Sequence, residues 1–124
     1  MKLLKIIKDK DVPKDKSKLL IREASRAVLF DDKGLIPLLF VSKFGYHKLP
    51  GGGIEHDEDK IGALRREIKE EVGSEIEIIR EIGKIIEFRS EIDLEQTSFC
   101  YLGRIISKGK PDFTEEEIEN GLQL

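Results

Sequence analysis

Glu67, Glu70 and Glu71 stand at i, i+3 and i+4 in a segment whose apolar residues recur at steps of three and four. On a helix that spacing clusters three carboxylates on one face. Like charges so placed repel and weaken an isolated helix. The residues alone leave two readings open. One is a solvated acidic face, the common fate of glutamate on a surface helix. The other is a divalent metal site, which turns the repulsion into binding energy. Three neighbours bear on the choice. Pro50-Gly51-Gly52-Gly53 is a glycine run, and glycine lets a backbone carbonyl or amide approach a metal or phosphate closely. Glu58 and Arg66 are placed to pair and to tie the loop to the helix.

These side chains need elements to hold them. From Lys60 onward, Ile61, Leu64, Ile68 and Val72 mark the buried stripe of a helix. Asp57 or Asp59 is a candidate cap at its start, and Gly73 is placed to end it in a left-handed cap. Ahead of it, residues 3–7 read as a short strand and residues 9–18 as a charged loop. Residues 23–30 read as a second strand, followed by the turn signal Asp31-Asp32-Lys33-Gly34. The apolar run 35–41 is expected to return as the antiparallel partner of the strand before it, a hairpin in mid-sheet. Beyond the helix, Ile76, Ile78, Ile79, Ile82, Ile85 and Ile86 mark β structure, and residues 97–106 a further strand. Residues 117–124 read as the approach to a strand that stops early. The order strand, strand, helix, strand, strand predicts an α/β fold with a mixed or antiparallel sheet packed by a helix. It does not suit a doubly wound parallel sheet.

The bulk properties set outer limits. The chain has 124 residues, 39% apolar and 38% charged, which suits one domain over 1–124 with a real core. A net charge of −3 argues against bulk binding to a nucleic acid polymer. No apolar run is long enough to span a membrane, and the start lacks the pattern of a signal peptide. Cys100 is the single cysteine, so no internal disulfide is expected; a soluble cytoplasmic protein is the natural reading. Among Phe99, Tyr101 and Leu102 it is expected to be a packed strand residue.

One stretch carries more. Gly52, five residues, Glu58, seven residues, then Arg66-Glu67-Ile68-Lys69-Glu70-Glu71-Val72-Gly73 resembles the signature box of the MutT-like Nudix hydrolases. Every charged and glycine position of that box is matched. Leu49-Pro50-Gly51-Gly52-Gly53-Ile54-Glu55 also resembles its usual lead-in. The departure is Ser74, where the box has a bulky aliphatic residue; Ile76 is expected to take over that packing role.

The resemblance implies an α/β/α sandwich around a mixed sheet, here without the usual C-terminal strand and helix, as in a chain cut short. It implies hydrolysis of a nucleoside diphosphate linked to another moiety, with Mg²⁺ or Mn²⁺ as cofactor. By position, Glu70 and Glu71 are the leading ligands. Glu67 is the third or orients a bound water, and the Gly51 carbonyl is a further ligand. Glu58, Arg66 and Gly73 are implied to be structural. Mg²⁺ takes oxygen ligands and keeps several waters. A bound metal neutralises phosphate and lowers the pKa of water, and a nearby carboxylate takes the proton. Glu115, Glu116 and Glu117 are candidates for a remote base, with Glu116 the residue chosen; an ordinary acidic loop or helix start is the rival reading.

Weaker candidates line up behind these. Arg26 interrupts an apolar strand and either meets a phosphate or pairs with an acid at a sheet edge. Lys48 and Gly52 are candidate phosphate contacts. Phe44, Tyr46, His47, Arg89 and Gln96 are candidate cleft residues. The expected partner is a small nucleotide, with a homodimer possible if an edge is left uncovered. The alternative function is a non-catalytic nucleotide-binding or sensor module of the same fold.

Overall fold

The computed structural model describes residues 1–8 and 18–123. The expected charged loop at 9–18 therefore lies, except for its last residue, outside the described residues.

Inside the large sheet β2 (Leu20–Phe30) runs parallel to the central strand β7 (Leu94–Ser107) and antiparallel to the edge strand β5 (Gly51–Gly53). β6 (Glu75–Arg89) pairs antiparallel with β7, and β1 (Leu3–Lys8) lies parallel to β6 at the edge. The strand order is β1-β6-β7-β2-β5, a mixed sheet as expected. β6 and β7 are joined through a single 3₁₀ turn, Ser90–Ile92, and Asp93 in the left-handed region. A smaller sheet contains β4 (Tyr46–Lys48), β3 (Leu39–Val41) and β8 (Leu122–Gln123) in that order.

The hairpin expected between residues 23–30 and 35–41 does not form. The turn itself is present: Asp31 N–H donates to the Leu35 carbonyl at 2.9 Å, and Gly34 N–H to the Asp31 carbonyl at 3.1 Å. The chain after it leaves for the small sheet, because both edges of β2 are occupied by β5 and β7. Pro37 has no N–H to give to a ladder, and Leu35, Ile36 and Leu38 stay exposed. Pairing was decided by strands remote in sequence, which a local turn signal does not report.

The helix α1 (Lys60–Val72) forms where the periodicity predicts it. Asp59, not Asp57, caps it, accepting from Gly62 N–H at 2.6 Å. Gly73 closes it at φ 72° and ψ 20°, where a Cβ would fall 2.3 Å from the Lys110 carbonyl oxygen. Glycine is needed there for both reasons. Leu64, Ile68 and Val72 pack on Ala27, Leu29, Phe99 and Tyr101 of the sheet. Each such buried side chain contributes roughly 1.5–3 kcal/mol of transfer free energy. Ile76 is buried in the same cluster, the packing role expected of it, and Cys100 is a buried strand residue.

The C-terminal segment forms a five-residue helix, α2 (Glu115–Glu119), and the two-residue β8, which pairs with β3. Thr114 and Glu117 make a capping box at the start of α2. Among the described residues no helix is long and apolar enough to cross a membrane.

Candidate active site

The site is built where β5 meets α1. β5 is all glycine because it is squeezed. Gly51 has φ 137°, and a Cβ there would lie 2.1 Å from the Ser25 carbonyl oxygen. At Gly52 a Cβ would lie 2.6 Å from the Glu67 carboxyl. The loop backbone thus lies against the acidic face of the helix, and side chains would push the two apart.

Arg66 fastens this arrangement. Its Nε and Nη2 donate to the two Glu58 oxygens at 2.7 and 2.8 Å, a bidentate pair. Nη2 also donates to the Gly53 carbonyl at 3.1 Å, and Nη1 to Glu67 at 3.1 Å and Glu70 at 3.4 Å. The bond from Arg66 holds the Glu58 carboxyl below its ordinary pKa. One guanidinium therefore ties the loop to the helix and offsets part of the repulsion among the glutamates.

The three box glutamates are not equivalent. Glu67 is largely buried, and desolvation pushes its carboxyl up. Glu71 is wholly buried and takes no part in the surface cluster. Its Oε1 accepts from Gly51 N–H at 2.8 Å. Its Oε2 lies 3.2 Å from Lys48 Nζ yet accepts no hydrogen bond. Burial raises the Glu71 pKa to about 7, and Lys48 and the Gly51 amide oppose that rise. The third member of the carboxylate cluster comes from elsewhere. One oxygen each from Glu67, Glu70 and Glu117 lie within 4.8 Å of one another. Glu117 also accepts from Thr114 N–H at 2.8 Å, which orients it.

These donors suit a hard divalent cation. Glu67, Glu70 and Glu117 offer carboxylate oxygens as ligands, and Glu71 contributes a buried oxygen short of a hydrogen bond. A buried carboxylate oxygen is costly unless a cation stands beside it, and here Lys48 is the cation in place. Mg²⁺ or Mn²⁺ fits this set.

The cluster opens on a cleft of about 410 Å³. Arg22, Arg26, Arg89, Tyr46 and Gln96 line it together with Glu116, Glu117 and Asn120. Of the substrate candidates, Arg26 lines the cleft and, among the described residues, forms no ion pair with an acid. It donates to the Leu49 and Gly51 carbonyls at 3.2 and 3.3 Å, and desolvation lowers its pKa. Lys48 lines the cleft while paired with Glu71. Gly52 lines it too. Glu116 lies in the same cleft, but Glu117 is the residue of that run within reach of Glu67 and Glu70. Phe44 and His47 fall outside the lining; His47 packs on the Phe40 ring at 4.8 Å between centroids. Arg89 is paired with Glu87 at 2.7 Å.

Arg22 and Glu117 were the residues that sequence reasoning passed over or ranked second. Arg22 donates to Gln96 Oε1 at 3.1 Å. It stands four residues before Arg26 on the same strand, hence on the same face; that parity was a usable signal. For Glu117 the signal was Thr114-x-x-Glu117, a helix-start pattern that fixes which way its side chain turns.

Comparison with known proteins bears on the fold and the family. The NUDIX domain model matches residues 20–121. No curated protein sequence matches the chain. Many solved structures do. The MutT protein from Methanosarcina mazei Go1 superposes with a TM-score of 0.65 at 22% identity, over 76% of this chain and 71% of that one. The MutT NUDIX hydrolase from Burkholderia pseudomallei gives 0.66 at 23% identity, over 75% and 74%. An ADP-ribose pyrophosphatase from Streptococcus suis 89-1591 gives 0.58 at 21% identity, over 76% and 67%. Identities this low speak to the fold, and the domain match over most of the chain speaks to descent. The chain belongs to the NUDIX family.

Proposed function

We propose that this NUDIX hydrolase cleaves a diphosphate linkage in a nucleoside diphosphate derivative by attack of water on phosphorus, with Mg²⁺ or Mn²⁺ as cofactor. The observation that carries the reading is the convergence of Glu67, Glu70 and Glu117 within 4.8 Å at a cleft that also holds Arg22 and Arg26. Anion-binding and cation-binding groups side by side suit a metal-bound phosphate chain.

Glu67 and Glu70 would hold the cation where they converge, and Glu71 would add its buried oxygen from beside Gly51, with the Gly51 carbonyl as a further ligand. When bound, it supplies charge neutralisation of the diphosphate, a lowered pKa for water and support for the leaving oxygen. Arg66 keeps Glu67 and Glu70 oriented. Arg26 and Arg22 bind the phosphate oxygens that face the sheet. A carboxylate on α2 takes the proton from the attacking water. Glu117 has the better claim to that role than Glu116, since its carboxylate approaches Glu67 and Glu70 and is oriented by Thr114. The likeness to solved MutT and ADP-ribose pyrophosphatase proteins supports a nucleotide-type substrate.

The test is a panel of nucleoside triphosphates and nucleotide conjugates incubated with Mg²⁺, with Mn²⁺ and with EDTA, with products identified by mass. Metal-dependent release of a nucleoside monophosphate from at least one compound is expected. Turnover unaffected by EDTA refutes the metal reading. Silence across the panel, from protein that still binds nucleotide by calorimetry, favours the non-catalytic sensor.

A further inference from the structure

Lys48 reaches Glu71 of α1 from the small sheet. It lies on β4, opposite Leu39 of β3, and its side chain is about one-quarter exposed, whereas Glu71 is fully enclosed at the end of α1. One Glu71 oxygen is committed to the Gly51 amide. The other has Lys48 Nζ at 3.2 Å as its ion-pair partner and accepts no hydrogen bond. That contact is charge without directional anchorage, and the lysine stem is flexible. The same lysine lines the cleft that contains Glu67 and Glu70.

We propose that Lys48 is a tethered counter-cation: it occupies the free oxygen of Glu71 in the metal-free protein and yields that oxygen to the divalent cation. The inference rests on the metal reading of the preceding section. A buried carboxylate without a cation is costly to leave unpaired. Lys48 removes much of that cost while the metal is away. Two cations on one oxygen repel strongly in a partly desolvated site, so metal binding expels the ammonium group. The expelled group stays in the cleft it already lines, where it can meet a substrate phosphate. Metal and diphosphate are then coupled through one side chain, and each strengthens binding of the other.

Mg²⁺ titration by calorimetry at pH 9 compares wild type with Lys48→Met. Removing the competitor should tighten Mg²⁺ binding about tenfold, equivalent to ~1.4 kcal/mol. Unchanged or weaker binding in the variant, beside normal binding by wild type, overturns the inference and leaves the metal reading standing. Absence of Mg²⁺ binding in both proteins overturns the two together. A second measurement uses wild type alone and does not depend on the variant folding. Acetic anhydride labelling of Lys48, read by peptide mass, should be faster with saturating Mg²⁺ than in EDTA. Equal or slower labelling overturns the inference.

Discussion

Gly52→Ala separates the fold of this protein from its chemistry. A Cβ on Gly52 would lie 2.6 Å from Glu67 Cδ and Oε1 and 2.9 Å from Oε2. Ordinary contact begins near 3.4 Å, so the carboxyl must retreat by about 0.8 Å. What gives way is the far end of a flexible side chain, and the backbone at Gly52 is not in the left-handed region. The stability cost is therefore small, about 1 kcal/mol. The functional cost is not small. Displacing a positioned group by about 1 Å costs on the order of 100-fold in rate. Gly51→Ala is the contrasting control. There the Cβ meets the Ser25 carbonyl oxygen at 2.1 Å and Arg26 Cα at 2.7 Å, at φ 137°, and neither backbone atom moves cheaply. That variant should lose ~3 kcal/mol or more. Urea unfolding of both variants, with metal-dependent hydrolysis of a panel substrate, gives the comparison. Gly52→Ala with wild-type turnover would refute the geometric argument. So would Gly52→Ala as unstable as Gly51→Ala.

Stability of the metal-free protein should depend on pH through Glu71. Its carboxyl is raised from 4.5 to about 7 in the fold, so the folded state holds the proton more tightly than the unfolded chain. That contribution is complete below pH 4.5 and is lost as pH rises through 7, up to ~3 kcal/mol in all. Urea midpoints in EDTA should fall across this window for wild type and stay flatter for Glu71→Gln; parallel curves would count against it. Glu58 has the opposite sign, because Arg66 holds its carboxyl down. Glu58→Gln should cost about 1–2 kcal/mol at pH 7. The gap to wild type should close as pH falls through the depressed folded-state pKa, and a gap that persists in acid would exclude the ion pair as its source. Glu117→Gln should cut turnover by at least about tenfold and Glu116→Gln should not; equal losses would remove the distinction between them.

Much of the site was readable before any coordinates. The spacing of Ile61, Leu64, Ile68 and Val72 determines which face of α1 is buried, and so determines that Glu67 and Glu70 face the cleft. Asp59 and Gly73 mark the ends of that helix by local capping chemistry, which depends on a few neighbouring residues. The Glu58–Arg66 pair was readable for the same reason: both lie on one loop-helix segment, and their charges and reach suffice to match them. The long strands were located along the chain, but the short β4, the all-glycine β5 and the partners of β2 were not. Strand pairing satisfies backbone groups that every sequence shares, so a period-2 pattern says where a strand lies and not what lies beside it.

What the sequence determined by itself is therefore the local device: a glycine loop, a capped helix, an acidic face and the arginine that clamps them. The tertiary structure decided which carboxylates meet. It carried Glu71 inward to Gly51 and Lys48, away from the glutamates beside it in the sequence. It brought Glu117 across from α2 to join Glu67 and Glu70, and set Arg22 beside Gln96 in the same cleft. The physical reason is range. Helix periodicity and capping act over a turn or two, whereas desolvation of a carboxylate and convergence of charges depend on every segment packed around them.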